Sequence, residues 1–88
     1  MFYVYILQSL KDSKLYTGFI DNLQKRILKH NFGKVFSTKS RRPLKLIYLE
    51  ICLNKEDAQQ REKYLKTGAG KIFIKQRLKY YFKGRSIS

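Results

Sequence analysis

The sequence predicts an α+β domain: a small, mostly antiparallel three-stranded sheet flanked by helices, in the order β-β-α-β-α-α. Two short β-branched and aromatic runs, residues 2–8 and 14–20, flank the turn-forming stretch Ser9–Ser13 and read as a hairpin. A further run, residues 45–52, is too short for a helix and reads as the third strand. Between and after the strands lie segments with capping residues at their starts and apolar residues at helical spacing. At 88 residues the chain makes one domain. A domain of that size buries only about 60–65% of its unfolded surface, so any site should be shallow.

Alternation along the first strand puts Tyr3, Tyr5 and Leu7 on one face and Phe2, Val4 and Ile6 on the other. A loop over residues 9–12 sets Gln8 opposite Ser13, Tyr5 opposite Tyr16 and Tyr3 opposite Gly18. A loop two residues later separates the tyrosines, and the sequence permits both. Asp21 and Gln24 have the spacing of a capping box, which predicts Asp21 as N-cap of a helix of about ten residues. Leu23, Ile27 and Leu28 then face the core, and Arg26 and His30 share one flank. Residues 31–44, with Gly33, several Ser, Thr and Lys and the only proline, read as a long basic loop of the kind that often carries function. Asn54 caps a second helix through Lys66, with Glu56 and Asp57 in its positive first turn and Gly68 at its end. A last helix over 71–82 presents Ile74, Leu78, Tyr81 and Phe82 at core spacing. Residues 1–83 thus form the domain and 84–88 a flexible tail.

Twenty Lys+Arg against six Asp+Glu give a net charge of +14 and a pI near 10.1. The partner that best relieves such self-repulsion is a polyanion, with nucleic acid first. Lys25, Lys29, Lys34, Lys39, Arg41, Arg42, Lys71 and Lys75 are the expected phosphate contacts, although any single surface cation is more often merely solvated. About six such contacts correspond to a logarithmic salt slope of about −5. No stretch approaches the roughly 20 apolar residues of a membrane span, and the N-terminus lacks the pattern of a signal peptide. A cytoplasmic protein with no membrane partner is expected. The single Cys52 excludes an intramolecular disulfide and a cysteine-based zinc site. Neither a phosphate-cradling glycine loop nor a Ser-His-Asp set is present, so common nucleotide-binding and hydrolase templates find no support, and no small-molecule cofactor is expected. The oligomeric state has no signature in the sequence.

The carboxylates are few enough to sort by local role. Asp12 belongs to a turn, Asp21 to a cap, and Glu56 and Asp57 to a helix N-terminus, which leaves Glu50 and Glu62. Glu62 shares a stripe with Ala58 and Leu65, and a carboxylate there is costly unless paired with a Lys or Arg or bound to a cation. Both remain open at this point. Two-metal chemistry needs several convergent carboxylates, so the sequence suits at most one hard cation, held by one carboxylate, waters and substrate phosphate. Seven tyrosines are mostly packing residues. Tyr5 and Tyr16 differ in their possible pairing across the hairpin, with Gly18 leaving room for a ligand's backbone.

Tyr3-Val4-Tyr5, the hairpin, Tyr16-Thr17-Gly18, then Arg26 and His30, then Arg61-Glu62, follow one another in an order that resembles the GIY-YIG nuclease domain. The resemblance covers nearly the whole chain. It is closest to the small stand-alone branch and similar to the catalytic domain of the bacterial excision-repair nuclease. It implies that Tyr5 and Tyr16 position or deprotonate an attacking water, and that Arg26 steadies the phosphate in the transition state. His30 would hydrogen-bond one tyrosine and help move its proton, and Glu62 would be the sole carboxylate ligand of one Mg2+ or Mn2+ ion. A phenol serves as a base at neutral pH only in positive surroundings, which this chain supplies. The implied activity is metal-dependent DNA endonuclease action, with DNA held mainly through phosphates and selected by structure more than by sequence. The alternative is a non-catalytic module binding DNA or structured RNA. The sequence departs from the family pattern in having no Asn beyond Asn54; Thr67, Lys71 and Gln76 are the candidates to replace it.

Overall fold

A computed structural model describes residues 1–31, 33, 35 and 38–87, without the side chains of 23, 24, 28 and 85–87. The elements are β1 (Phe2–Ser9), β2 (Leu15–Ile20), α1 (Leu23–Asn31), a 3-10 turn (Lys39–Arg41), β3 (Leu44–Cys52), α2 (Lys55–Leu65), α3 (Gly68–Arg77) and α4 (Lys79–Ile87). The sheet is antiparallel throughout, in the order β2-β1-β3, so the most apolar strand takes the middle. Val4 to Ser9 are all buried.

Each face of β1 seeds its own core, as the alternation predicts. Val4 and Ile6 pack with Ala58 and Leu65 of α2 and Ile74 of α3. On the opposite face Tyr5 and Leu7 pack with Leu44, Ile27 of α1 and Tyr16. A bulge between Ile6 and Leu7 lets β3 serve both: Tyr48 pairs with Ile6, whereas Leu46 pairs with Leu7. The extra residue, Ile47, changes the parity of the strand. Leu44 and Leu46 therefore join the α1 side, and Tyr48 and Cys52 the α2/α3 side.

The hairpin takes the later of its two registers, and the direct Tyr5/Tyr16 pairing is not formed. Gln8 faces Leu15, Leu7 faces Tyr16 and Tyr5 faces Gly18. Ser9 sets this register, because its buried hydroxyl accepts the backbone N–H groups of Lys11 and Asp12 at 3.1 and 3.2 Å. Asp12 in turn accepts the Lys14 N–H at 3.0 Å, and Ser13 takes a positive φ of 65°. These local bonds hold a longer loop, Leu10–Lys14, than the shorter alternative needs.

Helix boundaries also differ from those the sequence predicts. Asn22, not Asp21, caps α1: its side-chain oxygen accepts the Lys25 N–H at 3.2 Å. Gly68 does not close α2 but begins α3, whose N-cap is Thr67, accepting the Gly70 N–H at 3.1 Å. The expected single last helix is divided at Leu78, yet the bonds Leu78 N to Ile74 O and Phe82 N to Leu78 O continue across the break. Apolar periodicity is preserved there, so it could not reveal the division. The expected Asn54 cap is present, accepting from Glu56 and Asp57. The 3-10 turn lies within the segment expected as irregular loop, and α4 extends to Ile87, through the segment expected as a tail. The core roles expected of Leu23 and Leu28 lie outside the described side chains, as does the capping role of Gln24. No helix among the described residues is long and apolar enough to cross a membrane.

Candidate active site

Tyr5 sits in the central strand with its ring on the α1 face, 2% exposed. Two side chains one helical turn apart on α1 reach its hydroxyl: Arg26 Nε donates to it at 3.3 Å, and His30 Nε2 lies 3.4 Å away. The four-residue spacing noted in the sequence is what brings both to one atom. The Tyr5 and His30 rings meet edge to face, with centroids 6.1 Å apart. Asn31 fixes the end of this helix through paired bonds with the backbone of Leu44 at 2.8 and 3.2 Å.

His30 is itself held from behind. Its Nδ1 lies 2.7 Å from Oγ1 of Thr38, which is fully buried. Thr38 is placed by the 3-10 turn: its N–H donates to Val35 O and its carbonyl accepts the Arg41 N–H. Burial, and then the neighbouring Arg26 charge, lower the His30 pKa from its ordinary 6.5, which favours the neutral ring. Nothing in the sequence singles out Thr38. It is one of several hydroxyls in a basic loop, and only the packing of that loop against α1 selects it.

Gly18 has a different role from the expected one. Directly opposite Tyr5, it leaves space for the Tyr5 hydroxyl and ring, which a Cβ at that position would overlap. The missing side chain therefore admits a residue of the protein. Tyr16 lies two residues away on the same face, half-buried.

Glu62 approaches from α2, which packs on the other face of the sheet. Its side chain is 23% exposed and pairs with Lys66 at 3.3 Å, so it lies at the edge of the core and not within it. Tyr5, Tyr16, Arg26, His30 and Glu62 nevertheless all line one cleft of about 850 Å³, which passes around the edge strand β2. The other unassigned carboxylate, Glu50, has two structural partners. Arg61 grips it through Nε and Nη2 at 2.9 and 3.0 Å, and Tyr48 donates to it at 2.7 Å. Burial raises the Glu50 pKa, but the bonds from Arg61 and Tyr48 outweigh it and the net direction is down.

Of the expected phosphate contacts, Lys71 and Lys75 line the cleft, joined by Lys14 and Lys66, which are not among those expected. Lys25 and Lys29 line a neighbouring depression of about 720 Å³, and Arg26 is common to both. Lys39, Arg41 and Arg42 lie at the 3-10 turn, away from the cleft lining; Arg41 pairs with Asp12 at 3.1 Å, and Arg42 Nε donates to Lys39 O. Lys34 lies outside the described residues. Thr67 is occupied as a helix cap, donating to Tyr64 O at 2.6 Å, whereas Lys71 faces the cleft; of these two candidates for the missing Asn, only Lys71 is placed there.

No group of three or more His, Cys, Asp or Glu converges as a metal-binding cluster among the described residues. A self-contained protein cage for a divalent ion is therefore not present among them. One carboxylate at the rim of an open, cationic cleft still fits a hard cation that keeps most of its waters and takes its remaining ligands from a phosphate.

The chain thus sets a buried tyrosine under an arginine and a histidine on an antiparallel sheet followed by three helices, with a glutamate of the first of these on the same cleft. Residues 1–73 match the GIY-YIG catalytic domain, and the chain belongs to that nuclease family. More narrowly, it is similar to proteins named UPF0213: 52% identical over 67 residues to one from Clostridium perfringens, covering 75% of this chain and 71% of that one. A second, from Staphylococcus haemolyticus, is 47% identical over 66 residues, covering 74% and 79%. The solution NMR structure of a UPF0213 protein from Bacillus halodurans matches with a TM-score of 0.52 at 35% identity, covering 84% of this chain and 82% of that one.

Proposed function

We propose that this protein is a metal-dependent DNA endonuclease that hydrolyses phosphodiester bonds, with low sequence specificity and selection by DNA structure. The observation that carries the reading is the meeting of Arg26 and His30 on the Tyr5 hydroxyl, inside the cleft that Glu62 also lines. Lys14, Lys66, Lys71 and Lys75 hold the phosphate backbone without reading bases. Arg26 places a permanent charge beside the scissile phosphate as negative charge builds on it. Tyr5 accepts the proton of the attacking water while its own proton passes to neutral His30, and Tyr16 orients that water. A divalent ion, held by Glu62, would supply charge neutralisation at the phosphate.

The test is cleavage of a panel of duplex, nicked, flapped and branched DNAs with magnesium or manganese. The expected result is cutting that chelator abolishes, with Glu62→Ala and Tyr5→Phe binding DNA but failing to turn over. Absence of cutting on every substrate, or cutting undiminished in Glu62→Ala, would sink the enzyme reading. Salt-sensitive binding indifferent to chelator, without cutting, would point to the non-catalytic module.

A further inference from the structure

We propose that Thr38 is a positioning residue for His30: its hydroxyl oxygen accepts the Nδ1–H of the neutral imidazole, leaving Nε2 bare to accept the Tyr5 hydroxyl. The purpose assigned to this tautomer rests on the nuclease reading; the tautomer itself rests on geometry alone.

Donor and acceptor capacities at the Tyr5 oxygen favour the assignment. The Tyr5 oxygen has two described side-chain neighbours, Arg26 Nε and His30 Nε2. A guanidinium can only donate, so Arg26 uses a lone pair of the phenol oxygen and cannot receive its proton. Tyr5 is 2% exposed, and a buried hydroxyl proton is costly to leave unpaired. Among the described side chains, His30 Nε2 is the acceptor within reach. A neutral imidazole that accepts at Nε2 carries its proton on Nδ1, and that nitrogen faces Thr38 Oγ1 at 2.7 Å. The state of one ring nitrogen is set by the bond the other makes. Thr38 therefore acts on the Tyr5 proton through the imidazole. When the Tyr5 proton moves to Nε2, the ring becomes an imidazolium that donates from both nitrogens, and Thr38 still accepts from one. The relay runs with no rearrangement of its far end.

His30 is the only histidine, so a long-range proton–nitrogen correlation spectrum of the 15N-labelled full chain near pH 7.5 reads its tautomer without ambiguity. The expected spectrum shows the proton on Nδ1 and a bare Nε2. Thr38→Ser should preserve it, and Thr38→Val should shift the ring to the Nε2–H form or to a mixture. In DNA cleavage, Thr38→Val should lose about 10- to 100-fold in turnover with KM unchanged, and Thr38→Ser should retain most of it. An Nε2–H ring in the wild-type protein overturns the assignment, and so does an unchanged Nδ1–H ring in folded Thr38→Val. If Thr38→Val does not fold, the wild-type and Thr38→Ser spectra still decide. The expected tautomers in a protein that cuts no DNA would uphold the hydrogen-bond assignment and reject only the nuclease reading.

Discussion

The Tyr5 ring ends in the space that a side chain at Gly18 would occupy, across one rung of the β1/β2 ladder. The tyrosine that meets Arg26 and His30 thus depends on an absent methyl group in the neighbouring strand. Gly18→Ala should push the ring off its place, break both contacts, and cost about 1–3 kcal/mol through overpacking. Chemical denaturation and DNA cleavage on the same preparation measure the two effects. A variant as stable and as active as the parent would show that Tyr5 need not lie over Gly18.

The Glu50–Arg61 pair should be visible in the acid limb of stability. The folded Glu50 carboxyl is held below its ordinary 4.5, so its stabilisation is complete above about pH 4.5 and is lost as pH falls through the folded value. Glu50→Ala should cost about 2 kcal/mol at pH 7, since it leaves the Arg61 donors and the Tyr48 hydroxyl without their acceptor. Glu50→Gln should flatten the dependence between pH 5 and 3. Urea unfolding across that range checks this, and an unaltered pH slope would mean the pair does not act in stability.

Gly70 carries the close approach of α2 and α3. A Cβ there would overlap the backbone at Tyr64 and Leu65, which no rotamer change can relieve. Gly70→Ala should cost about 2–3 kcal/mol and displace the helix that bears Lys71 and Lys75, despite the better helix propensity of alanine. Thermal unfolding showing stabilisation would contradict the packing described.

Lys71 and Lys75 line the cleft, whereas Lys39 and Arg42 lie beyond it. Replacing the first pair by Gln should reduce the logarithmic salt slope of DNA binding by about 2 and weaken affinity for all sequences alike. The Lys39/Arg42 double variant should change the slope by less. Fluorescence anisotropy titrations at several salt concentrations compare them, and equal slopes would remove the cleft as the phosphate track.

Much of the frame is legible in the chain because it depends on near neighbours. The strands follow from β-branched and aromatic runs, the two faces of β1 from alternation, and the α2 start from Asn54. Where structure and sequence pattern differ, more than one local solution suits the same residues. Asp21 and Asn22 are both good caps, and in the structure Asn22 takes the role. The two hairpin loops differ by bonds from Ser9 that no pattern of hydrophobicity records.

The sequence by itself determined the class of fold, the positive surface, and an Arg and a His four residues apart on one helix flank. Those are matters of composition and of short-range periodicity. Tertiary structure decided that both side chains meet at Tyr5, that Gly18 makes room for it, that Thr38 backs His30, and that Glu50 pairs with Arg61 while Glu62 faces the cleft. Each of these joins groups distant in the chain. Their geometry depends on the hairpin register and on the one-residue bulge at Ile47, where a slip of a single position turns every later side chain to the opposite face.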